Sequence, residues 1–411
     1  MKLYEQVQKQ IKDAYSFIKD EYDANLLEKF LYPDRVMEFY IPVKMDDWKT
    51  KVFIWYRSQH NNSKWPYKWW IRFHQNVSKD EVMSLSAWMS LKTWVVWLPL
   101  WGGKWGVIVN PKELSIWELE RLSRGFMQKL APFIGNQVDI PAPDVNTTPQ
   151  IMAWMAEEYS KLTWTRTPWV ITGKPLSIGW SEGRGAATAQ WWFYVLEQYL
   201  SDKNDSISGK SVVIQWSGNA GLTFAQIASK AWAKIIAISD SKWAIYNENG
   251  LNINDITLLK NKKKSVTEYW DWKVITNEDL LFLNTEILVP AALENQITKD
   301  NADQINAKLI LELANGPTTY EADTILQKKW VDVLPDILAN SGWVTVSYFE
   351  QVQNNMNYYR KEDEVNKKLE DIIKPATKEV VSLAEKYNTN LRNWAYISSL
   401  RIILESMKTR G

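Results

Sequence analysis

The feature most suggestive of catalysis in this 411-residue chain is a lysine set among glycines, Trp101-Gly102-Gly103-Lys104-Trp105-Gly106. Glycines let a backbone approach a bound molecule closely, so Lys104 could present an amine to a phosphate or to a reacting carbon. The phosphate-loop pattern G-x-x-x-x-G-K-[ST] is absent, because Trp105 follows the lysine. Lys68 and Lys92 are the other members of a lysine-rich constellation; composition alone favours reading all three lysines as solvated surface cations. Asp144 stands between Pro143 and Val145, in a segment stiffened by Pro141 and Pro143. Such an aspartate is a turn residue or helix cap, or a fixed carboxylate able to move protons.

A second constellation is Trp216-Ser217-Gly218-Asn219-Ala220-Gly221, where Gly218 and Gly221 fit the second and third glycines of a dinucleotide-binding G-x-G-x-x-G turn. A helix N-terminus at that turn would receive a pyrophosphate. Asp240 follows 240 − 218 = 22 residues on, where an acid would hold ribose hydroxyls.

Other chemistries are excluded by composition. With no cysteine and two histidines, the chain has no thiolate nucleophile, disulfide, zinc–thiolate site or histidine-rich metal site. His60 and His74 read as structural hydrogen-bonding residues, and no metal is expected. The 49 basic and 48 acidic side chains balance to +1, with Lys262–Lys264 the longest like-charge block, so no nucleic-acid footprint is expected. No apolar run reaches the roughly 20 residues of a membrane-spanning helix, and the charged, amphipathic start does not read as a signal peptide. The expectation is a cytoplasmic protein with no membrane association.

These residues must be positioned by regular elements. Helical spacing of Leu3, Val7, Ile11, Tyr15 and Ile18 opens the chain, and alternating stretches from Val36 to Phe73 predict strands. A strand from Trp94 to Pro99 is predicted to lead into a loop at 101–106. A helix at about 113–130, a proline-punctuated loop at 139–147 and a helix through Met152–Leu162 follow. Ser211–Gln215, a small-residue turn, a helix to Ala231 and Lys234–Ser239 predict a βαβ unit. Further apolar runs at 286–292, 308–312 and 331–335 extend it into a parallel sheet with covering helices. Beyond Tyr348 the pattern is helical, with segments near 362–374, 376–387 and 390–407.

In order along the chain, Tyr67-Lys68-Trp69-Trp70-Ile71-Arg72-Phe73-His74, Leu98–Gly106, Pro141-Ala142-Pro143-Asp144-Val145, Thr172-Gly173-Lys174-Pro175, Pro290–Asn295, Ala314-Asn315-Gly316-Pro317-Thr318-Thr319 and Pro335–Asn340 closely resemble the glutamate dehydrogenase family, within the wider group that also acts on leucine, phenylalanine and valine. The resemblance runs from about residue 30 to the end. It implies an α/β fold of two domains with a cleft closing over substrate. A substrate-binding and oligomerisation domain would span 1–186, with helices 365–411 packing back on it, and a Rossmann-like NAD(P)-binding domain would span 187–364. It further implies a homohexamer.

Position by position, the resemblance implies Lys104 as catalytic lysine and Asp144 as proton-transfer carboxylate. Lys92 would bind the substrate α-carboxylate, and Lys68 with Ser347 the γ-carboxylate, which favours L-glutamate over apolar amino acids. Thr188, Gly218, Asn219, Gly221, Asp240 and Asn315 would contact NAD or NADP, with NAD slightly favoured by Asp240. Crowding by Lys68 and Lys92 would leave Lys104 partly neutral and able to act as a base. The products implied are 2-oxoglutarate and ammonia. The alternatives are a dehydrogenase of another amino acid, separated at Lys68 and Ser347, and a non-catalytic binding protein with aromatics gathered on one surface.

One count is anomalous. Tryptophan occurs 25 times, about 6%, and glycine only 16 times, about 4%, against the usual level of about 7%. Relative to the family pattern, Trp48, Trp55, Trp65, Trp69, Trp70, Trp97, Trp101, Trp105, Trp117, Trp169, Trp180, Trp191, Trp216, Trp232, Trp243, Trp272, Trp330 and Trp343 stand where glycine is expected. Adding these 18 to the 16 glycines gives 34, about 8%, an ordinary content. Trp88 and Trp154 read as tryptophans in their own right. A directional exchange of this kind fits a gene whose UGA codons its host reads as glycine, rendered here as tryptophan.

Overall fold

The protein is described by a computed structural model covering residues 2–63, 66–181, 184–270, 272–387 and 389–411, with the side chains of 184–188 outside the description. The chain forms two compact units, one of residues 1–182, 344–365 and 396–411, the other of 183–343 and 366–395. The C-terminal stretch expected to join the first domain as a whole is thus divided between them. Tyr396 accepts a hydrogen bond from Trp88 Nε1 at 3.0 Å in the first unit. Arg392 forms a buried ion cluster with Glu312, Asp323 and Asp336 in the second.

The first unit is built on five strands: β1 (Arg35–Lys44), β2 (Thr50–Gln59), β3 (Tyr67–Phe73), β4 (Trp101–Val107) and β5 (Asp139–Pro143). Their spatial order is β1-β2-β4-β3-β5. β1, β2 and β4 pair antiparallel, whereas β3 runs parallel to both β4 and β5. Two expectations are corrected here. Residues 101–106 are not a loop but most of β4, buried along its whole length, while Trp94 ends the helix Lys79–Trp94. A strand buried on both faces shows no polar alternation, so its glycines looked like a turn. Residues 139–143, read as loop because of Pro141 and Pro143, form the edge strand β5, where missing N–H donors are tolerated.

The helix Lys79–Trp94 lies directly against β4. A Cβ on Gly102 would come within 2.1 Å of Ser86 O and 2.3 Å of Ser90 N, so only glycine permits this approach.

The second unit carries seven strands: β6 (Ser211–Gln215), β7 (Lys234–Ser239), β8 (Ala244–Tyr246), β9 (Lys273–Ile275), β10 (Thr285–Pro290), β11 (Ala307–Leu311) and β12 (Asp332–Leu334), in the order β12-β11-β10-β6-β7-β8-β9. From β12 to β7 all pairs are parallel, and β8 and β9 add antiparallel. The expected βαβ unit is β6, the helix Asn219–Lys230 and β7. The two segments expected around Pro375 form one helix, Glu362–Lys386, with the proline inside it.

Candidate active site

Lys68 and Arg72 lie two pairs apart on β3, so both side chains leave the same face of the sheet. The register Lys68↔Gly102 and Arg72↔Gly106 puts Lys104 on that face as well. Two of these three cations, Lys104 and Arg72, meet one carboxylate. Asp144, one residue beyond β5, accepts from Lys104 Nζ in direct contact and from Arg72 Nε at 3.1 Å. Arg72 is anchored from its other side by Glu81, on the helix Lys79–Trp94. The Asp144 backbone is fixed too, its N–H donating to Thr147 Oγ1 at 2.7 Å while that hydroxyl donates to Ile71 O at 2.9 Å.

This arrangement sets the two protonation states. Burial lowers the Lys104 pKa from 10.5 to about 8; Asp144 opposes the shift and the Arg72 charge adds to it. Arg72 is therefore the cation that crowds Lys104, where Lys68 and Lys92 were expected. Burial alone would raise the Asp144 carboxyl, but Lys104 and Arg72 override it and hold the group at about 2.

Lys68 is fully buried and its Nζ bonds Thr172 Oγ1. Thr172 Oγ1 in turn shares a hydrogen bond of 2.7 Å with Ser347 Oγ, so Lys68 and Ser347 are joined through a hydroxyl that carried no role in the sequence reading. The loop bearing Thr172 is held by Glu350, which accepts from Gly173 N at 2.8 and 2.9 Å and from Lys174 Nζ at 3.1 Å. Lys92 is buried near the end of the helix that packs on Gly102. His60 is buried, with its pKa lowered to about 3 by desolvation, and packs edge-on against Phe30.

Arg72 and Thr172 were missed by role although both fall within quoted motifs. Period-two alternation along Lys68-Trp69-Trp70-Ile71-Arg72 would have put Arg72 beside Lys68. Thr172 had no comparable signal, since its meeting with Lys68 spans 104 residues of chain.

In the second unit, Gly218 caps the helix Asn219–Lys230, with Asn219 exposed at its first turn. A Cβ at Gly221 would stand 2.1 Å from Trp216 O, so glycine is required for this helix to leave the strand so closely. The turn is tied to the end of β7 by Trp216 N donating to Ser239 Oγ at 2.9 Å. Its backbone fits a dinucleotide. The Trp216 side chain does not, because its Nε1 lies 2.3 Å from where a Gly218 Cβ would be, over the N-terminus of the helix.

Asp240 directly follows β7, but its oxygens already accept from Lys242 N at 2.9 Å, Ser265 Oγ at 2.8 Å and Val266 N at 3.0 Å. Asn315 is exposed in the turn after β11, where Gly316 N donates to Asp336 Oδ2 at 3.0 Å. Thr188 falls in the helix Arg184–Asp202, but its side chain lies outside the described residues, as does Trp65. Among the described residues no group of three or more potential ligands could hold a metal, and no helix is long and apolar enough to cross a membrane.

A Rossmann-type sheet in one unit and a lysine–aspartate pair on a mixed sheet in the other define a nucleotide-dependent α/β dehydrogenase architecture. The chain belongs to the Glu/Leu/Phe/Val dehydrogenase family. The family model for Glutamate/Leucine/Phenylalanine/Valine dehydrogenase matches residues 179–411, and that for the Glu/Leu/Phe/Val dehydrogenase dimerisation domain matches 33–161. The catabolic NAD-specific glutamate dehydrogenase of Bacillus subtilis is 44% identical over 100% of this chain and 96% of its own length. An NADP-specific glutamate dehydrogenase of Synechocystis is 41% identical over 100% of this chain and 97% of its own. Among solved structures, the glutamate dehydrogenase of Peptoniphilus asaccharolyticus is 39% identical with a TM-score of 0.88, covering 100% of both chains. The hetero-hexameric glutamate dehydrogenase of Thermus thermophilus, in its Leu-bound form, is 31% identical with a TM-score of 0.92, covering 100% of this chain and 97% of that one.

Proposed function

We propose that the protein catalyses reversible oxidative deamination of L-glutamate to 2-oxoglutarate and ammonia with NAD or NADP. The observation that carries the substrate choice is the buried Lys68–Thr172–Ser347 chain. A buried ammonium joined to two hydroxyls is poorly matched to an apolar side chain and well matched to a second carboxylate. Glutamate dehydrogenases among the relatives and solved structures support the same reading.

Lys68 and Ser347 bind the substrate γ-carboxylate, with Thr172 completing the contact, and Lys92 binds the α-carboxylate. Lys104, neutral in part near neutral pH, accepts a proton from the water that attacks the iminium carbon of the oxidised substrate. Asp144, held ionised between Lys104 and Arg72, carries protons to and from the departing amine. A bound nicotinamide cofactor would supply the acceptor for the hydride leaving the glutamate Cα. Gly218, Asn219, Gly221, Asp240, Asn315 and Thr188 would hold it. Because NAD-specific and NADP-specific relatives match almost equally well, and because Asp240 is already engaged within the protein, either cofactor is accommodated by this reading. A cytoplasmic homohexamer completes it, in keeping with a hexameric structural neighbour.

The reading is tested by Lys68→Leu, which should abolish glutamate turnover while leaving cofactor affinity unchanged. Retained glutamate activity would remove the basis for the substrate.

A further inference from the structure

Among the described residues eleven non-glycine residues have a positive φ, and six of them are tryptophan: Trp48, Trp97, Trp164, Trp216, Trp232 and Trp330. Four of the remaining five are asparagine, whose short polar side chain tolerates this region. An indole brings no such compensation. The positions are also those at which chains use glycine. Leu98 N donates to Thr93 O, Ala233 N to Ala228 O and Val331 N to Leu326 O, each the six-to-one bond that closes a helix around a left-handed residue, here Trp97, Trp232 and Trp330. Trp164 follows the helix Pro149–Thr163 at φ 56° and ψ 20°. Trp48 closes the hairpin between β1 and β2, where Met45 N donates to Lys49 O. At Trp164, Trp232 and Trp330 the side chains are 93%, 80% and 89% exposed, so packing does not offset the strain.

A separate observation comes from the sheet that carries the active site. Trp55, Trp69 and Trp105, on three strands, pack ring against ring, Trp55 stacked on Trp105 at a centroid separation of 4.6 Å and Trp69 tilted against it at 4.4 Å, all fully buried. Among the described residues the indole Nε1 of each has no acceptor, nor have those of Trp70 and Trp101 on β3 and β4. Buried donors are almost always satisfied, so five orphans on adjacent strands do not describe an evolved core. By contrast Trp88, on a helix, donates to Tyr396 OH at 3.0 Å and to Gln10 Oε1 at 3.3 Å.

We propose that the working protein carries glycine at these left-handed and orphaned positions, its host reading UGA as glycine, and that glycine at 216 is what opens the helix N-terminus at Gly218 to a dinucleotide pyrophosphate. Trp164, undecided on sequence grounds, joins the set through its backbone. Trp191 gains no support from its own bonding, since its Nε1 donates to Leu338 O at 3.1 Å. The inference about position 216 rests on the proposed function; the identity of the residues does not.

The test is peptide sequencing by mass spectrometry of the protein purified from its native host. Glycine at 97, 101 and 105, with tryptophan at 88 in the same digest, is expected; tryptophan at all three overturns the proposal. Recombinant protein gives a second reading. Trp216→Gly should strengthen NAD binding at least tenfold, and unchanged affinity overturns the assignment at 216. A chain with Trp164→Gly, Trp232→Gly and Trp330→Gly should melt at a higher temperature than the chain with tryptophan there, and an unchanged or lower Tm counts against glycine at these sites. If native peptides carry glycine but the protein does not turn over glutamate, the proposed function fails and the decoding stands.

Discussion

Lys104 and Asp144, brought together from a central and a peripheral position of one sheet, form a contact ion pair in which burial pulls the amine down to about 8 while the pair holds the acid at about 2. The two groups therefore stay in different protonation states across the neutral range. In the proposed mechanism that separation lets one act as base and the other as proton carrier.

The first prediction is a pH profile. With Lys104 titrating at about 8 rather than 10.5, kcat/KM for deamination should rise with pH and level off above about 8. Asp144→Asn should reduce kcat by about 10²- to 10⁴-fold. The stability sign is opposite for the two groups. The depressed Asp144 adds stability above its unfolded value of 3.8, lost as pH falls toward 2, whereas the depressed Lys104 costs stability below about 8, a cost relieved as pH rises toward 10.5. Acid and alkaline unfolding curves of the wild type, Asp144→Asn and Lys104→Gln check this.

Arg72 is a positioning residue. It donates to Asp144 at 3.1 Å and its charge helps lower the Lys104 pKa. Arg72→Gln should therefore move the rising limb of the kcat/KM profile to higher pH as well as lower kcat, on the order of tenfold. Arg72→Lys, which restores the charge without the planar donor geometry, should recover the limb more than the rate. A rate loss with an unmoved profile would assign Arg72 a packing role only.

Substrate choice should reside in Lys68, Thr172 and Ser347. Lys68→Leu is expected to lower kcat/KM for glutamate on the order of 10⁴-fold. Ser347→Ala and Thr172→Ala should each cost about tenfold, mainly in KM. Isothermal titration with the cofactor should show no change in any of the three.

Glu350 supports this pocket from beneath through the Gly173 N–H and the buried ammonium of Lys174. Glu350→Gln removes the buried carboxylate charge facing that ammonium and should destabilise the protein by about 3–5 kcal/mol. Urea unfolding would register it as a lower midpoint at unchanged slope.

Much of this was legible in the sequence where local pattern and spacing coincide. The βαβ unit around Gly218 and Gly221 combines short apolar strands, a small-residue turn and a following helix, and these are local signals. β10 and β11 were located by their apolar runs for the same reason, with ends displaced by one or two residues. β4 was not legible as a strand, because its alternation is lost when both faces are buried and its glycines serve helix packing rather than a turn. β5 was hidden by prolines that only an edge position tolerates. Lys104 and Asp144 were singled out from their motifs, but Arg72 as their partner and Thr172 as the link from Lys68 to Ser347 depend on strand register and long-range contact. Neither is a property of a short segment.

The most direct test of the central claim is the initial rate of nicotinamide reduction by protein from the native host, compared across L-glutamate, L-leucine, L-valine and L-phenylalanine at matched concentrations. Reduction with glutamate at least a hundredfold faster than with the other three, with 2-oxoglutarate as product, is the predicted result. No reduction with glutamate, or a preference for an apolar amino acid, would contradict the account.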